Sequence, residues 1–210
     1  MLVVHHLNDS RSQRILWLLE ELGAPYEIKF YKRDATTRLA PPELKAVHPL
    51  GKSPVITDGA ETIAESGAIV DYIVRKYGAG RLARTPGAAD FEKYNEWLHY
   101  AEGSAMLPLM LNMYVMRLGE AGAPLHPRIA DEMANHLGYV NASLEGRDWL
   151  MGADLTGADV QMSFVGEVCN AFGQADRYPN IKAWVDRFQN RPAYRKALEK
   201  GGPYNMGPKT

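Results

Sequence analysis

Ser53-Pro54-Val55-Ile56-Thr57-Asp58-Gly59-Ala60-Glu61-Thr62-Ile63-Ala64-Glu65-Ser66 carries most of the architectural information in this 210-residue chain. Residues 53–57 and 61–64 read as two short strands, and Asp58-Gly59 between them marks a tight hairpin turn. Ser66 then caps a helix with Ile69, Tyr72 and Ile73 on one face. Working back toward the N-terminus, residues 32–50 are polar and contain prolines, which predicts a long loop with a short helix at 42–46. Residues 26–31 alternate and read as a strand. Before them Ile15, Leu18, Leu19 and Leu22 fall at helical spacing, with Gly23 as the stop. Asn8-Asp9-Ser10 are turn and cap residues, and 2–7 form the first strand. A βαβ unit followed by a hairpin and a helix predicts a small mixed sheet with helices packed on it.

Downstream the pattern changes. Gly78-Ala79-Gly80 and Thr85-Pro86-Gly87 are rich in breakers, which places a linker at 79–89 between a first domain, 1–78, and an all-helical second domain, 90–210. The clearest helix start there is Leu155-Thr156-Gly157-Ala158-Asp159-Val160. Thr156 and Asp159 form a capping-box pair, and Leu155 and Val160 occupy the positions of a hydrophobic staple.

Composition narrows the function classes. The chain is 46% hydrophobic and 23% charged with a net charge of −1, as expected of an ordinary globular protein. No basic stripe marks a nucleic-acid partner. The densest apolar run, 15–19, is far short of the ~20 residues of a membrane span, so no integral membrane segment is expected. The first residues read as a strand, not as a cleavable leader. A single cysteine, Cys169, forms no internal disulfide and fits a reducing, cytoplasmic setting; its apolar helical surroundings place it in the core. The six histidines lack metal-ligand spacing, and His5 and His6 point to opposite faces of their strand, so no metal is predicted.

Four segments occur in an order that resembles the glutathione transferases: Ser10-x-x-x-Arg14, His48-Pro49-Leu50-Gly51-Lys52-Ser53-Pro54-Val55, Ala64-Glu65-Ser66-Gly67-Ala68-Ile69 and Thr156-Gly157-Ala158-Asp159. Tyr31-Lys32-Arg33-Asp34, Pro41-Pro42-Glu43-Leu44-Lys45 and Tyr100-Ala101-Glu102-Gly103-Ser104 resemble a serine-type branch shared by fungi and bacteria. The resemblance implies a thioredoxin-like N-terminal domain, an all-helical C-terminal domain and a homodimer. It also implies glutathione as co-substrate.

Glutathione presents a thiol, two carboxylates and an amine, and each has a candidate partner. A free thiol has a pKa of ~8.5, and a hydroxyl donating to sulfur at a helix N-terminus favours the anion. Ser10, between the first strand and the first helix, matches the family's active serine, with Ser12 as runner-up. Read locally, Ser10-x-x-Gln13 is equally a capping box. By family analogy Pro54 is cis and the Val55 backbone pairs with the peptide-like ligand, while Lys52 reaches its glycyl carboxylate. Glu65 and Ser66 precede a helix whose free amides suit the γ-glutamyl carboxylate, with Glu65 toward the ammonium. Glu102 is implied to reach the glutathione amine of a partner subunit. Asn8 with Met106, Met110, Met113 and Tyr114 is the candidate electrophile pocket; the methionine stripe reads equally as core.

The reading these residues favour is an enzyme that conjugates the glutathione thiolate to small hydrophobic electrophiles. A glutathione-dependent peroxidase and a non-catalytic binding or regulatory module are the alternatives, because fold alone does not settle function.

Overall fold

The structure is a computed structural model and describes residues 1–208. The chain forms two compact units: Met1–Arg84 together with the chain from Arg187 onward, and Thr85–Asp186. The first unit holds β1 (Leu2–Leu7), α1 (Ser12–Leu22), β2 (Glu27–Tyr31), α2 (Glu43–Val47), β3 (Val55–Asp58), β4 (Glu61–Ala64) and α3 (Ser66–Tyr77). Its sheet runs β2-β1-β3-β4. β1 and β2 are parallel, joined by α1, and the β3–β4 hairpin adds two antiparallel strands on the other side of β1. This is the thioredoxin-like arrangement expected from the strand and helix order.

Strand boundaries shift by a residue or two from the expectation. β2 begins at Glu27, α2 lies one residue later than predicted, and β3 begins only at Val55, after the cis Ser53–Pro54 bond. Leu7, Tyr31 and Leu44 pack together under α2 on one face of the sheet. On α1, every residue from Ser12 to Leu19 is buried. The predicted stripe of Ile15, Leu18, Leu19 and Leu22 accounts for one side of that helix. The other side, including Leu16 and Trp17, is covered by the C-terminal segment.

That cover corrects the expected division, in which 90–210 formed one helical domain. Helix α9 (Pro192–Gly201) packs on α1, and the chain from Arg187 belongs to the first unit. Trp17 stacks on Phe188 at 5.2 Å and meets Tyr194 edge-on at 5.7 Å. The Glu20 carboxylate accepts from Lys196 at 2.8 Å and from Lys200, and Glu21 pairs with Arg191. A helix that is apolar on two sides cannot expose one of them to water, so the sheet needs this late segment to finish its core.

The second unit contains α4 (Phe91–Tyr100), a π-helical turn at Ala101–Ala105, α5 (Met106–Val115), a 3₁₀ stretch at Met116–Leu125, α6 (His126–Ser143) and α7 (Gly157–Ala171). The division between units falls within α8 (Pro179–Gln189). Pro108 cannot donate to the helix ladder, and the π-turn lies just before it. Helix α7 is buried on nearly all sides, and its N-terminus carries the predicted capping box. Asp159 is fully buried and accepts from the Thr156 amide at 2.9 Å, the Thr156 hydroxyl at 3.1 Å, the Leu150 amide at 2.8 Å and Trp184 Nε1 at 3.2 Å. Cys169, further along α7, is fully buried, and burial pushes its thiol up to about 12.

Candidate functional site

Three chain segments meet at one end of the sheet. The β1–β3 register pairs His5 with Val55, so the end of β1 and the Asn8–Asp9–Ser10 loop emerge beside Ser53 and Pro54. The β3–β4 register pairs Val55 with Ala64, so Glu65 and Ser66 emerge at the same end. Strand pairing alone therefore gathers the serine loop, the Ser-Pro-Val segment and the start of α3.

Ser10 is buried and lies at the centre of a hydroxyl cluster. Its Oγ is 2.7 Å from Ser12 Oγ and 3.4 Å from Ser53 Oγ, and it accepts from the Ser12 amide at 3.2 Å. Ser53 in turn donates to the His5 carbonyl at 2.9 Å. The capping box expected at Ser10 does not form: α1 starts at Ser12, and the amide of the Gln13 side chain is buried without a hydrogen-bond partner. Ser10 thus supports the first turn through one backbone amide and keeps its hydroxyl hydrogen for another partner.

The direction of that hydrogen is set by His6. Its Nε2 lies 3.1 Å from the Gly201 carbonyl, which only accepts, so Nε2 carries the proton. Burial holds the ring at about 4, well below the usual value, so it is neutral and Nδ1 is an acceptor. Ser12 Oγ, 2.8 Å away, donates to it. The hydrogen in the 2.7 Å contact between Ser10 and Ser12 is then Ser10's own, with Ser53 Oγ at 3.4 Å as its second, longer acceptor. His5, on the opposite face, contacts the Tyr31 hydroxyl at 2.9 Å and Thr57 at 3.3 Å. The two histidines do point to opposite faces, and both rings are buried and hydrogen-bonded.

The serine loop is braced from its outer side. The Arg33 guanidinium donates to the Asn8 carbonyl at 2.9 Å and the Asp9 carbonyl at 3.0 Å, and the Arg33 amide donates to Asn8 Oδ1 at 3.3 Å. Asp9 itself has a positive φ of 50°. At the start of α3, Glu65 is exposed and adopts φ 65°, ψ 115°, a strained conformation for a residue with a side chain. Ser66 is the buried first residue of the helix and not its cap. The amides of that first turn have no partners within the helix, which suits an anion. Lys52 is exposed, and Val55 is the first residue of β3 in both of its ladders.

The remaining candidates lie in the second unit. Glu102 is half-buried in the π-turn. Met106 is buried in the helical core, Met110 and Met113 are half-buried, and Tyr114 is exposed. No group of three or more histidine, cysteine, aspartate or glutamate residues is placed to hold a metal among the described residues. No helix among them is long and apolar enough to cross a membrane.

Residues 1–75 match the family model described as "Glutathione S-transferase, N-terminal domain", and 104–192 match "Glutathione S-transferase, C-terminal domain". The curated glutathione S-transferase 3 of Schizosaccharomyces pombe is 37% identical over 95% of this chain and 88% of its own length. The chain belongs to the glutathione S-transferase family. Glutathione S-transferase 1 of Saccharomyces cerevisiae is 33% identical, with 94% of each chain covered. A solved glutathione S-transferase from Actinobacillus pleuropneumoniae superposes with a TM-score of 0.87 at 34% identity, covering 98% of this chain and 95% of that one. A family member from Pseudomonas fluorescens, solved with two glutathione molecules bound, superposes with a TM-score of 0.80 at 26% identity, covering 94% of this chain and 92% of that one. The relatives span fungi and bacteria, and the chain is a glutathione transferase enzyme with the two-part fold of that family.

Sequence reasoning missed His6, Asp9, Arg33 and the C-terminal residues that brace the serine loop. The sequence signals were the turn character of Asn8-Asp9-Ser10 and the presence of Arg33 in the Tyr31-Lys32-Arg33-Asp34 segment, neither of which pointed to the bracing. Arg33 and Asp9 are 24 residues apart, His6 and Gly201 195, and Asp9 and Asn205 196, beyond any local pattern.

Proposed function

We propose that this transferase holds glutathione at the end of the sheet where the three segments converge and conjugates its thiolate to small hydrophobic electrophiles, with Ser10 donating the hydrogen bond to sulfur. The observation that carries this reading is the pair of registers, His5 with Val55 and Val55 with Ala64, which brings a buried hydroxyl, a cis Ser-Pro-Val segment and a helix start to one place. The glutathione-bound relative from Pseudomonas fluorescens supports the choice of ligand.

The chemistry is electrostatic. Lowering a thiol pKa of ~8.5 by ~2 units takes ~2.7 kcal/mol of preference for the anion. One hydrogen bond to a charged acceptor, together with the N-terminus of α1, supplies that order of energy. Ser10 turns its hydrogen from Ser12 to the thiolate, and the sulfur lone pair attacks the electrophilic carbon. With an aryl halide the halide departs with its electron pair. Ser66, Glu65 and the first turn of α3 hold the γ-glutamyl end, Lys52 the glycyl carboxylate, and Pro54 and Val55 the peptide-like middle.

We also propose that the enzyme is a homodimer to which Glu102 contributes across the interface. Leu107, Leu111 and Tyr114, at i, i+4 and i+7 of α5, are 57%, 42% and 53% exposed, an apolar stripe that suits cover by a second copy. Sedimentation should give twice the chain mass at micromolar concentration; a monomer there contradicts it.

The direct test of the activity is retention on immobilised glutathione, followed by assays with an activated aryl halide and with an organic hydroperoxide. Conjugation that exceeds hydroperoxide reduction is the expected result. Hydroperoxide reduction without conjugation overturns the proposed reaction, and failure to bind glutathione overturns the site.

A further inference from the structure

The chain continues past the end of α9 and returns to the serine loop. The Asn205 amide donates to Asp9 Oδ1 at 2.8 Å, and Asn205 Nδ2 donates to Asp9 Oδ2 at 2.7 Å. Arg38 donates to the same Oδ2 at 3.1 Å. Gln189 Nε2 donates to the Met206 carbonyl at 3.1 Å and holds the segment down. Asp9, the residue before Ser10, is thus gripped by both carboxylate oxygens while its backbone sits at positive φ.

A second route runs from the same segment to the same hydroxyl. The Gly201 carbonyl accepts from His6, His6 accepts from Ser12, and Ser12 accepts from Ser10. Gly201 is packed too closely for any side chain: an added Cβ would lie 2.8 Å from Gln13 Oε1, 2.9 Å from Leu16 Cδ1 and 3.4 Å from His6 Nε2. That close approach brings the carbonyl within reach of the imidazole.

We propose that the C-terminal segment from Gly201 to Asn205 sets the position and hydrogen direction of Ser10, with His6, Asp9 and Asn205 as positioning residues for the thiol-activating hydroxyl. This rests on Ser10 being that hydroxyl. The resting chain of hydrogen bonds points Ser10's hydrogen at Ser12. When a thiolate occupies the site, the hydrogen turns to sulfur, and two serine oxygens 2.7 Å apart are left with no hydrogen between them. They must separate slightly, and Ser12 keeps the Leu7 amide, 3.3 Å away, as a donor. How readily this happens depends on how firmly the loop is held on each side. The segment therefore acts on the thiol pKa and on turnover more than on glutathione affinity.

The experiment compares wild type with Ser10→Ala, Asn205→Ala, Asn205→Asp and the exchange Asp9→Asn with Asn205→Asp, all as full chains. For each, thiolate absorbance of bound glutathione is titrated against pH, and kcat, the KM for glutathione and the melting temperature are measured. Asn205 is exposed, so its variants should fold. Asn205→Ala should raise the ratio of bound thiol to thiolate about threefold and lower kcat to match, with KM within about twofold of wild type. Asn205→Asp, which sets two carboxylates against each other, should do so about tenfold, and the exchange, with the same net charge as wild type, should restore most of the loss. A lowered melting temperature with an unchanged thiol titration in Asn205→Ala and Asn205→Asp overturns the proposal, provided Ser10→Ala moves the titration. If Ser10→Ala itself leaves the thiol unmoved, the fault lies in the assignment of Ser10 and the C-terminal route falls with it.

Discussion

At His6 burial outweighs hydrogen bonding: the ring is held at about 4 even though the Gly201 carbonyl accepts its Nε2 proton. The folded value lies below the ordinary 6.5, so neutral His6 contributes stability that is full above pH 6.5 and is lost as pH falls through 4, about 3 kcal/mol in all. Nitrogen NMR should accordingly show one neutral tautomer, protonated at Nε2, unchanged from pH 8 down to about pH 5. An imidazole titrating near 6.5 contradicts the hydrogen direction assigned to Ser12 and Ser10. Ser66 tests the binding end of the site. Ser66→Ala should raise the KM for glutathione about fivefold, the value of one hydrogen bond of ~1 kcal/mol, while kcat at saturation changes less. An unchanged KM in a variant of unchanged stability places the γ-glutamyl group elsewhere. At this scale the sequence pointed to Ser10, Pro54, Val55, Glu65 and Ser66, and the strand registers bring their segments to one end of the sheet. It did not show that Ser10 belongs to a relay ending at residue 201, because no local pattern links positions 195 residues apart.

The start of α7 was legible because its signal is local: Thr156 and Asp159 are three residues apart, and the capping box is present as read. The structure adds two partners that lie outside the motif, the Leu150 amide and Trp184 Nε1. Asp159 therefore ties three parts of the helical unit together. Asp159→Ala removes the acceptor that these buried donors share, at a cost of about 3 kcal/mol or more. Melting should fall by roughly 6–12 °C for a protein of this size, with glutathione affinity in the folded fraction nearly unchanged. A variant with wild-type melting and lost affinity would move Asp159 into the binding machinery. The carboxyl also predicts a pH effect. Burial, opposed by its hydrogen bonds, raises it from 3.8 to about 6. Its favourable proton uptake is complete below pH 3.8 and is lost as pH rises through 6, about 3 kcal/mol across that window. Asp159→Asn should flatten the pH dependence of stability between those values. The opposite case is α1. Its apolar stripe was read correctly, but the buried second side, Leu16 and Trp17, gave no hint of which distant element covers it.

For the molecule as a whole, the thioredoxin-like unit is discontinuous. It needs the chain from Arg187 onward, because Phe188 and Tyr194 complete the packing around Trp17. A fragment ending at residue 84 exposes Trp17 and Leu16, each worth ~2 kcal/mol or more of burial, and should show no cooperative melting. Joining residues 187–210 to it through a flexible linker should restore a cooperative transition; a fragment of 84 residues that melts cooperatively alone contradicts the assignment. The strand order and hairpin were readable from turn chemistry and alternation, and the convergence of the three segments at one end of the sheet follows from them. The domain boundary was not, since breaker-rich sequence marks where a chain bends and not which unit a later helix joins. Everything proposed for the site meets in one quantity, the pKa of glutathione bound to the enzyme. Titrated by thiolate absorbance, it should lie about 2 units below the free thiol value of ~8.5 in wild type and return toward that value in Ser10→Ala. A bound thiol that titrates at its free value in wild type, or one whose lowered value survives Ser10→Ala, contradicts activation by Ser10.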